Sequence, residues 1–168
     1  MSDFLPAFEA MIIDEGGYKL HTVKGDRGGA TYAGIARNYH RGWAGWAFVD
    51  RGEIPPSQLV RDFYKREFWD ALRCGEINQQ PIASSLFNFA VNAGTKTAAK
   101  LAQVVVGVTP DGAIGPKSLE ALNKIHPERF VSAFALAKIS RYAAICNRDP
   151  SQVKFLLGWI NRTLKGLS

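Results

Sequence analysis

The sequence predicts a mainly α protein, or α+β if one small hairpin near the amino terminus is counted. Three observations carry that prediction. Apolar residues recur at helical intervals in about seven segments, several opened by proline or ended by glycine. One stretch, Tyr18 to Val23, is short, mixed and β-leaning, and Gly25-Asp26-Arg27-Gly28-Gly29 then breaks it. No alternation of strands with helices supports a parallel sheet. At 168 residues and 46% hydrophobic content the chain is expected to form a single domain with one core.

Taken in order, Ser2 or Asp3 supplies an N-cap, and Phe4, Phe8, Met11 and Ile12 at i, i+4, i+7 and i+8 make one face of a first helix. Gly16 and Gly17 end it, which places Glu15 in or just past the last turn. The hairpin follows, and Thr31 opens a second short helix expected over Tyr32 to His40. Gly42-Trp43-Ala44-Gly45-Trp46 reads as an aromatic, glycine-punctuated loop reaching Glu53. Pro55-Pro56-Ser57 starts the next helix, lined by Leu59, Val60, Phe63, Tyr64, Trp69 and Leu72.

Pro81 opens a helix carrying Asn88 and Asn92 one turn apart before Gly94, and Thr95 or Thr97 caps another through Val106. Thr109 to Pro116 is a tight turn in which Asp111 can bond amides two residues on, and Pro116 begins the helix SLEALNKI. Glu128 to Cys146 is the longest helical pattern and the expected central buried helix. Ser151 to Leu164 completes the set, with Phe155, Leu156, Trp159 and Ile160 expected on the core side and Lys154, Arg162 and Lys165 outward.

The formal charge of +6 favours polyanions in general and does not choose among them. No helix-turn-helix or zinc pattern supports a nucleic-acid partner. No apolar run approaches the ~20 residues of a membrane span, so no stable membrane insertion is expected. The start of the chain lacks a basic leader and reads as the first helix, not a signal peptide. Cys74 and Cys146 lack metal-ligand spacing and read as half-buried thiols, and three scattered histidines suggest no metal site. No cofactor is implied.

Chemistry concentrates between Met11 and Ala36. A glutamate at a helix C-terminus meets the negative end of the helix dipole, which disfavours ionisation and suits a proton donor. Cleavage of a glycosidic bond needs such a donor at the leaving oxygen. Asp26 and Thr31 lie on a loop able to fold back over Glu15, giving a second carboxylate and a hydroxyl facing the first across a groove. Aspartate is also common in such turns and Thr31 is also a fitting N-cap, so both readings of each stand.

Glu15-Gly-Gly-Tyr18 followed by Asp26-Arg-Gly-Gly-Ala-Thr-Tyr-Ala-Gly-Ile35 resembles the amino-terminal signature of glycoside hydrolase family 108, the peptidoglycan muramidases. Phe89-Ala-Val-Asn-Ala-Gly94, with Asp111-Gly-Ala-Ile-Gly-Pro-Lys-Ser-Leu119, looks like the predicted peptidoglycan-binding region that accompanies it. The resemblance implies a lysozyme-like helical fold, with residues 1–75 carrying the catalytic motif and residues 76–168 the binding half. Small bacteriophage-type lysozymes place Glu, Asp and Thr as E-x8-D-x5-T. Here Glu15, Asp26 and Thr31 follow E-x10-D-x4-T.

By that resemblance the expected reaction is hydrolysis of the β-1,4 bond between N-acetylmuramic acid and N-acetylglucosamine, with Glu15 as acid and Asp26 and Thr31 across from it. A lytic transglycosylase and a non-catalytic wall-binding or secretion-assisting protein are the alternatives. Tyr18, His21, Trp43 and Asn92 are candidate substrate contacts; each also has a structural reading, as hairpin packing, surface histidine, core cap and helix-ending asparagine. The resemblance further implies a phage or prophage endolysin that binds peptidoglycan, and a monomer is the expectation for an enzyme of this size. It would be made in the cytoplasm, released through a holin or a dedicated secretion route, and act in the periplasm or cell wall.

Overall fold

The computed structural model describes residues 1–22 and 29–167, and the chain divides into two compact units, Asp3–Ala71 and the residues from Leu72 onward with Met1–Ser2. Among the described residues there are eight α-helices and one small antiparallel sheet, a mainly α architecture as the sequence predicts.

The amino-terminal unit opens with α1 (Phe4–Asp14), capped by the Asp3 carboxylate accepting from the Leu5 N–H at 3.2 Å. Phe4, Phe8, Met11 and Ile12 are buried, as their spacing requires. Three strands follow, β1 (Leu20–Thr22), β2 (Ala30–Tyr32) and β3 (Ile35–Ala36), in the order β1-β2-β3. The unit ends with the one-turn helix α2 (Trp46–Val49), then α3 (Ser57–Tyr64), which continues into a π-helical turn, Lys65–Asp70. Lys65 and Asp70 pair at 2.8 Å across that turn, the spacing that an i→i+5 winding brings together.

The helix expected over Tyr32 to His40 does not form. Tyr32 pairs with Ile35, so Ala33 and Gly34 are a two-residue hairpin loop with φ of 49° and 80°. Positive φ at both central residues matches the right-handed twist of the flanking strands. Tyr32, Ile35 and Ala36 mimic helical spacing, and strand pairing wins because the apolar pair Tyr32 and Ile35 is buried on one face of the sheet. Thr31 accordingly sits inside β2, opposite Ala36, and caps no helix.

The carboxy-terminal unit contains α4 (Gln80–Ala93), α5 (Thr95–Val106), α6 (Pro116–Lys124), α7 (Pro127–Arg148) and α8 (Val153–Lys165). Pro at the first turn of α4, α6 and α7 begins each where its missing N–H costs nothing. Helix α7 packs against α4, α5 and α8, with Phe134 edge-on to Phe89 at 5.5 Å and stacked on Phe130 at 5.1 Å. Cys74 and Cys146 are free and buried.

The turn between α5 and α6 is tied by one side chain. Gln103, 1% exposed, donates through Nε2 to Asp111 Oδ1, the Ala113 carbonyl and Ser118 Oγ, and accepts from the Gly112 N–H at 2.9 Å. Asp111 also accepts from the Ala113 N–H at 2.9 Å, and these bonds hold its carboxyl below the usual range.

Helix α8 departs from the sequence reading. Phe155, expected on the core side, is 47% exposed, and Thr163 is the residue of this helix that is buried. Trp159 does pack inward, 5.1 Å from Tyr142 of α7. Among the described residues no helix is long and apolar enough to cross a membrane.

Candidate active site

Glu15 is placed by the way α1 ends. It is the C-cap; the Gly16 N–H then bonds the Ile13 carbonyl at 3.0 Å and the Gly17 N–H bonds the Ile12 carbonyl at 2.8 Å. These paired bonds form a Schellman ending, and the left-handed residue it needs is Gly16, at φ 87°. The glycines therefore fix the backbone direction of the residue before them.

The half-buried Glu15 side chain reaches the β2–β3 turn. A Cβ built on Gly34 would lie 3.3 Å from Glu15 Oε2 and 3.4 Å from Glu15 Cβ, and it would collide with the Tyr64 hydroxyl oxygen. Only glycine leaves room for a carboxylate and a phenol at this position. The Tyr64 hydroxyl donates to the Ala33 carbonyl at 2.8 Å, so α3 and the hairpin turn are locked together beside Glu15. Burial, and secondarily the nearby Glu15 charge, push the Tyr64 phenol well above its ordinary pKa, so it stays neutral beside the glutamate.

The small sheet gathers three further candidates. His21 of β1 is directly opposite Thr31 of β2, so the two side chains leave the same face of the sheet; His21 is exposed and Thr31 half-buried. Tyr18, 41% exposed, precedes β1 and lies close enough to raise the Tyr32 phenol, whose shift comes mainly from burial. The Tyr32 hydroxyl is buried without a hydrogen-bond partner.

Two candidates are elsewhere. Trp43 is 8% exposed, stacks on Tyr32 at 5.9 Å, meets Trp46 edge-on at 5.2 Å and donates its N–H to the Leu59 carbonyl at 3.2 Å. These contacts place its ring in the core of the amino-terminal unit. Asn92 belongs to the other unit; it is exposed near the end of α4 and its amide donates to the Asn88 carbonyl at 3.0 Å. Asp26 lies outside the described residues.

Tyr64 is the site residue that sequence reasoning missed. Its spacing with Val60 and Phe63 marks it as core, which is true of the ring, and nothing local shows that the hydroxyl reaches a turn 31 residues earlier. Among the described residues no group of three or more His, Cys, Asp or Glu is arranged to hold a metal. In the carboxy-terminal unit an open cavity of about 380 Å³ lies beside the Gln103-tied turn, between Val108, Asp111, Pro116 and Lys117.

Comparison with known proteins adds three findings. The model of glycosyl hydrolase 108 matches residues 8–94, and that of a predicted peptidoglycan domain matches residues 97–164. The chain is similar to the solved structure of SagA from Brucella abortus, at 25% identity and a TM-score of 0.74, over 98% of this chain and 91% of that one. No curated protein matches.

Proposed function

Because this chain belongs to the glycosyl hydrolase 108 family and carries a predicted peptidoglycan domain, we propose that it is a muramidase. In this reading it hydrolyses the β-1,4 bond between N-acetylmuramic acid and N-acetylglucosamine, with Glu15 protonating the leaving oxygen. The observation that supports it is the placement of Glu15. A carboxylate fixed by a Schellman ending and wedged between Gly34 and a neutral Tyr64 is oriented before substrate arrives. Such placement is costly for an acid with no task.

Departure of the protonated oxygen leaves an oxocarbenium-like centre, which needs a negative neighbour and a water. We assign those roles to Asp26 and Thr31. His21, opposite Thr31, and Tyr18 would border the sugar at the exposed edge of the sheet. The carboxy-terminal unit would hold the polymer, and the cavity beside Asp111 and Lys117 is a candidate contact. The biological setting that fits is wall lysis by a phage or prophage enzyme acting in the periplasm or cell wall, released through a holin.

The test is Glu15→Gln, checked for folding by circular dichroism and assayed for clearing of purified sacculi. Loss of clearing in a folded variant is expected; clearing at the parent rate sinks the reading. Mass spectrometry of the released fragments assigns the chemistry: reducing-end muramic acid marks hydrolysis, and 1,6-anhydro ends mark a lytic transglycosylase. Sacculus binding with no release by the parent would mark a wall-binding protein.

A further inference from the structure

Val153, Leu157, Ile160 and Leu164 fall at i, i+4, i+7 and i+11 along α8, which is one continuous stripe of the helix surface. Three of its four residues are open to solvent, Val153 at 54% exposed, Leu157 at 69% and Leu164 at 50%, with Leu167 just beyond the helix at 46%, while Ile160 is half-buried at the inward border. The inward side of the helix is already occupied through Trp159 on Tyr142. Along the outward border of the stripe, themselves at i, i+7 and i+11, run Lys154, Asn161 and Lys165. Every charged residue of α8 is basic, Lys154, Arg162 and Lys165, and the chain as a whole carries +6.

We propose that this edge of α8 is a docking surface for an anionic lipid bilayer. Three considerations select that occupant. A soluble polyanion would pair with the lysines but would leave the leucines in water, so an apolar acceptor is required. A second copy of the chain would bring one basic border against another, which costs energy instead of gaining it. A bilayer with acidic headgroups meets both needs, taking the stripe into the headgroup boundary and the lysines at the phosphates. The helix is too short to span and would lie in the plane of the surface. This inference is independent of the role of Glu15.

The experiment uses the full chain and vesicles of phosphatidylglycerol mixed with phosphatidylethanolamine, beside vesicles of phosphatidylcholine alone. Partition measured by co-sedimentation is expected to be about tenfold or more stronger on the anionic vesicles, and to weaken as salt rises. The double variant Leu157→Gln/Leu164→Gln changes only exposed positions; checked for folding by circular dichroism, it should lose that partition. Equal partition on both vesicles, or unchanged partition of the folded double variant, overturns the proposal. So does sedimentation of the parent as a dimer without lipid that the double variant abolishes, since the stripe would then be covered by a second copy.

Discussion

The Tyr64 hydroxyl donates to the Ala33 carbonyl at 2.8 Å, across 31 residues of chain and next to the carboxylate of Glu15. Ala33 is 1% exposed, so its carbonyl has no ready replacement partner in water. Tyr64→Phe should therefore cost about 1–3 kcal/mol, read from urea unfolding. Gly34→Ala places a methyl against the same hydroxyl at φ 80°, and the backbone strain alone costs about 1–3 kcal/mol. Its activity at temperatures where it stays folded should fall further than that of Tyr64→Phe, because the methyl must displace either the phenol or the glutamate. Equal activities of the two variants would separate Gly34 from the site.

Replacing the acid itself has a larger expected effect. General acid catalysis contributes roughly 10²- to 10⁴-fold, so Glu15→Gln should lower the rate of sacculus clearing by that factor while Tm changes little. Thr31→Val keeps the β-branched shape that suits the centre of β2 and removes only the hydroxyl. If Thr31 positions water, this variant loses rate at unchanged stability; a parent-like rate would leave Thr31 as a strand residue alone.

Lys138 gives the carboxy-terminal unit a dependence on alkaline pH. Its ammonium lies over the rings of Phe134 and Phe89 at 4.6 and 5.3 Å and reaches Ser85 Oγ at 3.5 Å, and α4 offers it no acidic residue. Burial lowers its pKa from 10.5 to about 8. Between those two values the unfolded chain holds a proton that the folded chain has released, so stability should rise with pH across this window. Lys138→Met should abolish the rise and stabilise the protein at pH 7 by about 1–3 kcal/mol, less whatever the two rings return as cation–π attraction. Urea unfolding at pH 7, 8.5 and 10 measures both effects, and parallel curves for parent and variant would contradict them.

Gln103 offers a further stability test. Gln103→Leu keeps the volume but leaves the Gly112 N–H, the Ala113 carbonyl and Ser118 Oγ without their shared partner. A loss of about 2–4 kcal/mol is expected, since each buried polar group stranded costs about 1–3 kcal/mol and the turn can relax toward water. The same variant should raise the Asp111 pKa, because one of the bonds holding it down is gone; proton NMR titration of the carboxyl reports this directly.

The helices were legible because their ends are written in local chemistry: Pro116 and Pro127 begin α6 and α7, and Gly16 ends α1. Glu15 was legible for the same reason, since a helix end is a property of a few adjacent residues. The turn at Ala33-Gly34 was not, because Ala lacks the turn preference of Asn or Asp and the strand pairing that decides it comes from residues on either side. Tyr64 was hidden behind its own ring, which satisfies the core pattern without revealing where the hydroxyl goes. Trp43 and Phe155 show the complementary limit: periodicity and aromatic content do not say which face another element will cover, and the structure buries the first and exposes the second.

The π turn at Lys65–Asp70 sets how the chain can change length. Tyr64 and Trp69 are five positions apart and both buried, at 1% and 3% exposure, which one π turn permits and an α turn of 3.6 residues does not. The turn thus holds one residue more than regular winding needs. Deleting one exposed residue from it would restore regular winding and leave Tyr64 and Trp69 four positions apart, still on one face, so Trp69 would keep Phe4, its partner at 5.7 Å. Most substitutions at the exposed positions of this turn should be accepted, and so should the loss of one exposed residue, while the insertion of a further residue would turn Trp69 off that face and should not.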